Sequence, residues 1–480
     1  MTSEKDGGIS ALSTFLGQEQ PAPATNHASV PNFQHTTRDF TSTCRIIGCF
    51  FIFFVTWGVA SSFSAYQAFY QKDLLASHTP SVISWIGTVQ VSLMGLTGII
   101  SGALYDRGYI RTLLIVGGTL VTFGFMMLSL AKEYYQVILA QGVCIGFGEY
   151  IPDHQYFGVG VRTNPSLSLG NGMLYIPSIA VISQTFTAKQ RPLAIGGSSS
   201  GAAIGGIVLP IMFRHLQPQI GFGWTNRIFG FILLGMVIAT FFLLRPDPTH
   251  RRRKGQLFDP SALKEPPFVV LLVGLFFVFL GYWIPLIYIT PYAQFSIKTN
   301  VSYAFYLLAI LNAGSFAGRI LPAFVAHKLG PAFVLSAGSV SLGILILAWI
   351  GIHDVAGVTI WAILVGFMAG ITVAIPAAVV PLLSPTPSVV GARTGMAWSG
   401  SAFAGLIGGP IAGALVNTTT DDYARGQAFG GAVSLFGGLL LIYPAVTIAR
   451  GNKRYQKPKP PMHDIEITSP PVVGDNVASA

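Results

Sequence analysis

Apolar residues in this chain come in long unbroken runs separated by short polar breaks, rather than alternating or recurring as amphipathic stripes. A run of about twenty apolar residues crosses lipid as a helix, because hydrocarbon offers the backbone no outside hydrogen-bond partner. Read this way, the pattern predicts about twelve spans. Their expected limits are 44–70, 82–105, 110–131, a fourth from about 135, 193–213, 228–244, 268–292, 303–326, 332–352, 358–383, 394–416 and 428–448. The expected fold class is an all-α membrane protein, with twelve transmembrane helices in two pseudo-symmetric six-helix halves.

The flanking segments complete the expected organisation. Residues 1–43 are polar and rich in Ser, Thr, Pro and Gln, with no charged start followed by an apolar core. They read as a disordered cytoplasmic tail, not a cleaved signal. An N-terminal half covers 44–245, a cytoplasmic linker 246–267, a C-terminal half 268–450 and a second disordered tail 451–480. Composition agrees: 51% of the 480 residues are hydrophobic and 10% charged, which excludes an ordinary soluble globule.

The net charge of +10 comes from loops. One set of alternate loops carries Arg107, Arg111, Lys189, Arg191, Arg245, Arg251 to Lys254, Lys264, Lys328, Arg393 and Arg450. The opposite loops carry few cations, among them Lys72, Lys132, Arg214, Lys298 and Arg425. The bias places both termini and the linker in the cytoplasm, with the plasma membrane as the expected location. Asn300 and Asn417 begin glycosylation acceptor triplets in loops assigned to the other side. With no basic and aromatic platform in the sequence, nucleic acid is not an expected partner. Cys44, Cys49 and Cys144 lie in or beside apolar segments without ligand spacing. No Ser-His-Asp set, carboxylate pair or metal cluster stands out, so neither enzyme activity nor a cofactor or metal is expected.

The halves look like repeats. Gly102-Ala-Leu-Tyr-Asp106-Arg107-Gly108-Tyr-Ile-Arg111 follows the second span, and Pro322-Ala-Phe-Val-Ala-His327-Lys328-Leu-Gly330-Pro331 follows the eighth. The first segment resembles the signature loop of the major facilitator superfamily. Arg191-Pro-Leu-Ala-Ile-Gly196 with Gly201, Gly205 and Pro210 resembles the fifth span of its monocarboxylate-porter family. Asn312-Ala-Gly-Ser-Phe-Ala-Gly318-Arg319-Ile-Leu-Pro322 and Gly408-Gly409-Pro410-Ile-Ala-Gly413 fit the same family. With Ser84-Trp85-Ile86-Gly87 and Phe222-Gly223-Trp224, the likeness is to its fungal branch, over roughly Arg45 to Arg450. The resemblance implies the major facilitator fold and a monomeric carrier working by alternating access. In animal members, proton coupling is tied to a lysine in the first span and an aspartate one turn before the eighth-span arginine. The matching positions here are Ala65 and Ser315, which puts a co-transported proton in question.

Candidate residues follow from polarity inside apolar runs. Arg319 lies about 13 Å inside its helix end, where a charge costs several kcal/mol unless it faces water, a partner or an anion. It can bind an anionic substrate group through its guanidinium fork, or hold helices together near the cytoplasmic gate. Asn312, Tyr66, Gln67, Tyr288 and Asn171 complete the substrate-binding candidates. Each can equally bond one helix to another. Gly102, Asp106, Arg107 and Arg111 are the gating candidates.

The fourth span breaks the pattern. After Gly148 comes the polar, proline-bearing stretch 149–170, and the apolar run resumes at Asn171. Three readings stand: a discontinuous helix lining the site, a long loop, or a translated intron. Gly148-Glu149-Tyr150 can be encoded with a splice-donor sequence, Thr163-Asn164 with a branch site and Leu169-Gly170 with an acceptor. In-frame excision of 149–170 would join Gly148 to Asn171.

The function expected is secondary transport of a small organic solute, a monocarboxylate or related organic anion. Carriage of riboflavin or a secondary metabolite is the alternative within the class. A non-transporting membrane sensor or an inactive product is the alternative outside it.

Overall fold

The computed structural model describes residues 33–96, 101, 104, 109–147, 174, 178–179, 181–182, 185–186, 190–244, 258–386, 389–416 and 422–455. The chain divides into Met1–Thr41 and Ser42–Ala480. A helix, Phe33–Phe53, begins inside the stretch that the polar pattern assigns to a tail.

Every regular element among the described residues is a helix. Eight helical runs there are long and apolar enough to cross a bilayer: Phe40–Leu74, Ile110–Leu128, Leu193–Leu243, Pro266–Phe295, Val301–Ala326, Pro331–Gly351, Val355–Leu383 and Ala424–Gly451. They coincide with spans one, three, five with six, seven, eight, nine, ten and twelve. Span two is the shorter apolar helix Pro80–Leu96. Span eleven is Val390–Leu415, whose glycines and serines dilute its apolarity. Span four starts with Tyr134–Val137, passes through π-helical turns at Ile138–Cys144 and continues as Ile145–Phe147. The stretch 149–170 lies outside the described residues.

Two limits differ from the sequence pattern. The sequence pattern predicts a loop over 214–227 between spans five and six. Within Arg191–Leu243 they are two helices that meet directly at Gly221, whose backbone is non-helical (φ 76°, ψ 167°). A residue without a β-carbon takes that left-handed conformation freely, so the turn shrinks to one position. Span one runs on to Leu74, its polar end wound as the π-helical turn Tyr70–Leu74.

Exposed large apolar side chains such as Phe242, Ile360 and Phe324 would form aggregation patches in water but suit a hydrocarbon solvent. Inside, small residues set the spacing. A β-carbon at Gly205 would lie 2.7 Å from the Gly58 Cα, so spans one and five meet backbone to backbone.

Candidate functional site

Polar side chains that enter an apolar helix must find partners there, and here many of them find another span. Contacts between the first six spans and the last six run along the helices. Ser81 and Ser92 on span two donate to Pro410 O (3.0 Å) and Ala402 O (2.9 Å) on span eleven. Ser64 on span one donates to Ile287 O on span seven (3.0 Å). Arg214 on span five donates to Ser302 Oγ on span eight (2.9 Å). Asn312 and Arg319 on span eight reach back to span five, at Gly206 O (3.2 Å) and Ser199 O (2.6 Å).

Arg319 is 1% exposed. Its Nη1 donates to Ser199 O and its Nε to Ser315 Oγ at 3.3 Å. The serine that stands where the family resemblance leads one to expect an aspartate is thus a direct acceptor for the guanidinium. A β-carbon at Gly196 would lie 2.5 Å from Arg319 O, so the glycine lets span eight approach this closely.

Tyr282 belongs to a buried aromatic group shared by both halves. Trp57, in the first π-helical turn of span one, stacks on Trp283 with centroids 5.7 Å apart and planes at 13°. Trp57 also meets Trp398 of span eleven edge-on at 5.7 Å. Phe279 packs against Trp398 at 5.6 Å, and Tyr282 against Trp283 at 5.2 Å. Trp57 stands midway along Phe40–Leu74, about 25 Å from either end. Such ring pairs contribute about 0.5–1.5 kcal/mol each beyond their burial.

The remaining candidates do not gather around Arg319. Tyr66 donates to Asn226 Oδ1 (2.9 Å), Gln67 to Pro80 O (3.1 Å) and Tyr288 to Gly409 O (2.9 Å). Tyr66 and Tyr288 sit about 12 and 10 Å from the C-terminal ends of their helical runs, the end where span eight begins. Arg319 is about 27 Å down span eight from that end. The tyrosines therefore lie roughly 15 Å away from Arg319 along the helix axes. Nearer them, Tyr70 Oη donates to Gln141 Oε1 at 2.6 Å, joining a π-helical turn of span one to that of span four. Gln67 Oε1 is buried without a hydrogen bond.

Asn171, Gly102, Asp106, Arg107 and Asn417 fall outside the described residues. Arg111 is exposed at the start of span three, with its Cζ 5.7 Å from the Phe241 ring centroid. Asn300 caps span eight, its Oδ1 accepting from Tyr303 N (3.3 Å).

One loop charge proves to be internal. Arg393, counted above among the exposed cations, is fully buried. Its Nε donates to Asp259 (2.9 Å), and Nη1 and Nη2 grip both oxygens of Glu265 (2.8 and 2.7 Å). Nη1 also reaches Leu383 O (2.5 Å). The linker end and the starts of spans seven and eleven are thereby clamped together. A hydrogen bond from Ser261, and next the Arg393 guanidinium, hold the Asp259 carboxyl below the usual carboxylate range.

Sequence reasoning missed the tryptophans and Arg393. The available signal was position: tryptophan favours the membrane–water interface, and Trp57 lies mid-span. Among the described residues, no group of His, Cys, Asp and Glu is placed to hold a metal.

Comparison with known proteins adds a lineage to this geometry. The family model described as "Major Facilitator Superfamily" matches residues 166–409. "MFS-type transporter dbaD" of Emericella nidulans is 33% identical over 398 residues, 83% of this chain and 84% of its own. "Aspyridones efflux protein apdF" of the same organism is 33% identical, covering 81% and 74%. "Agnestins efflux protein AgnL12" of Paecilomyces divaricatus is 32% identical, covering 85% and 88%.

Proposed function

The chain belongs to the major facilitator superfamily, and on that premise we propose that it exports a planar, weakly acidic organic compound of the secondary-metabolite kind. As a member it is a multi-pass membrane transporter related to fungal carriers. The observation that carries the reading is the mid-span aromatic group of Trp57, Trp283 and Trp398 packed with Tyr282. The rings match a flat solute, and Arg319 matches its acidic substituent. The outward direction is supported by relatives whose names describe efflux. In this reading the unit is a monomer in the plasma membrane with both termini cytoplasmic, and a proton is the candidate coupling ion.

A short monocarboxylate, as the porter-like motifs imply, is the second reading; Arg319 alone favours it. Purified protein in vesicles separates them. Saturable flux of planar aromatic acids, with short aliphatic acids competing weakly, is expected. Saturable flux of short monocarboxylates with no flux of aromatic acids would overturn the export proposal. Binding without flux would make the protein a sensor.

A further inference from the structure

Prolines inside helices free a carbonyl: residue i lacks the amide hydrogen that would pair with the oxygen of residue i−4. In a membrane that oxygen cannot turn to water and needs another donor. Pro291 in span seven frees Ile287 O, and Pro210 in span five frees Gly206 O. Each freed oxygen is met by a side chain from the opposite half. Ser64 Oγ of span one donates to Ile287 O at 3.0 Å and accepts from Thr290 N at 3.3 Å. Asn312 Nδ2 of span eight donates to Gly206 O at 3.2 Å. A β-carbon at Gly206 would stand 2.5 Å from Asn312 Oδ1, so glycine at that position keeps the freed oxygen within reach.

We propose that Ser64–Ile287 and Asn312–Gly206 are paired latches between the halves, built on proline-freed carbonyls, and that Asn312 is a positioning residue for closure rather than a substrate ligand. In the closed arrangement both carbonyls are satisfied by protein. When the halves rock apart, water entering between them takes over the same oxygens. Neither helix has to break a backbone bond for this exchange, because proline has already removed it. A carbonyl paired within its own helix could serve only as a shared acceptor. The freed one gives each latch a full hydrogen bond that can be released and remade in every cycle. The prolines thus set two of the points at which the halves dock, and Ser64 and Asn312 set how firmly those points hold.

The test is a double-mutant cycle read by the distance between spin labels on opposite halves. Labels go on cysteines replacing the exposed Lys72 and Lys298, in a chain freed of Cys44, Cys49 and Cys144. Ser64→Ala removes the donor, so the ratio of separated to closed molecules should rise about two- to tenfold, the worth of one hydrogen bond. Pro291→Ala returns Ile287 O to its own helix. In that background Ser64→Ala should add little, whereas Ser64→Thr, which keeps the hydroxyl, should resemble the parent. An unchanged distribution in Ser64→Ala would overturn the latch. An equal rise with and without Pro291 would overturn the role of the freed carbonyl. If Ser64→Ala does not insert, the same cycle on Asn312 and Pro210 is read by the same two outcomes. The readout needs no substrate, so its failure is separate from any failure of the proposed export.

Discussion

Arg319 places a full charge deep inside an apolar run, and its surroundings explain how the fold tolerates it. Its guanidinium spans two acceptors on two helices, Ser199 O and Ser315 Oγ. Arg319→Lys keeps the charge but not the fork, since an ammonium is a compact point donor. Flux in both Arg319→Ala and Arg319→Lys should fall about tenfold or more in vesicle assays; full activity in the lysine variant would show that charge alone suffices. Arg319 and Asn312 were legible in the sequence because polarity stands out against an apolar run. Trp57, Trp283 and Trp398 were not, since an aromatic ring in such a run looks like any other buried side chain. Arg393 was misread for a different reason. Its acidic partners Asp259 and Glu265 are 134 and 128 positions away in the chain, so only the fold reveals that its charge is internal.

At the scale of elements, that arginine binds the linker end to spans seven and eleven. Breaking a buried ion pair by removing one partner costs about 3–5 kcal/mol. Arg393→Ala should therefore lower the unfolding temperature in detergent sharply, with Arg393→Lys recovering little; an unshifted temperature would show that the clamp is idle. The clamp also has a pH signature. Because the Asp259 carboxyl titrates below its ordinary range when folded, its contribution is complete above the unfolded value of about 3.9. It is lost only as pH falls through the lower folded value. Stability contributed by Asp259 should be flat from neutrality down to about pH 5 and decline in stronger acid; Asp259→Asn should flatten that acid limb. Span positions were readable from apolar runs, but the tightness of the turn between spans five and six was not. Polar residues around 214–227 signal a loop, whereas a single left-handed glycine suffices to turn the chain. The anomalous stretch 149–170 makes its own prediction. If it is a translated intron, spliced transcripts lack it, and the chain joining Gly148 to Asn171 inserts and transports better than the full one. Transcripts that uniformly retain the stretch would sink that reading.

For the whole molecule, the apolar runs predict an all-helical membrane protein and the family resemblance makes it a transporter, with which family membership agrees. They could not say where the halves touch, because those contacts join carbonyls and rings of helices far apart in sequence. The molecule that emerges has carbonyls freed by proline and met across its halves and an aromatic group at mid-depth, which we propose as the docking points and the seat of a flat solute. The most direct test of that centre is saturable flux of a planar aromatic acid in vesicles containing equal amounts of folded wild-type protein and Trp57→Ala. Loss of the Trp57 stack on Trp283 should cut flux about tenfold, on the order of one ring stack's worth of binding. Undiminished saturable flux in the folded Trp57→Ala protein would contradict the account.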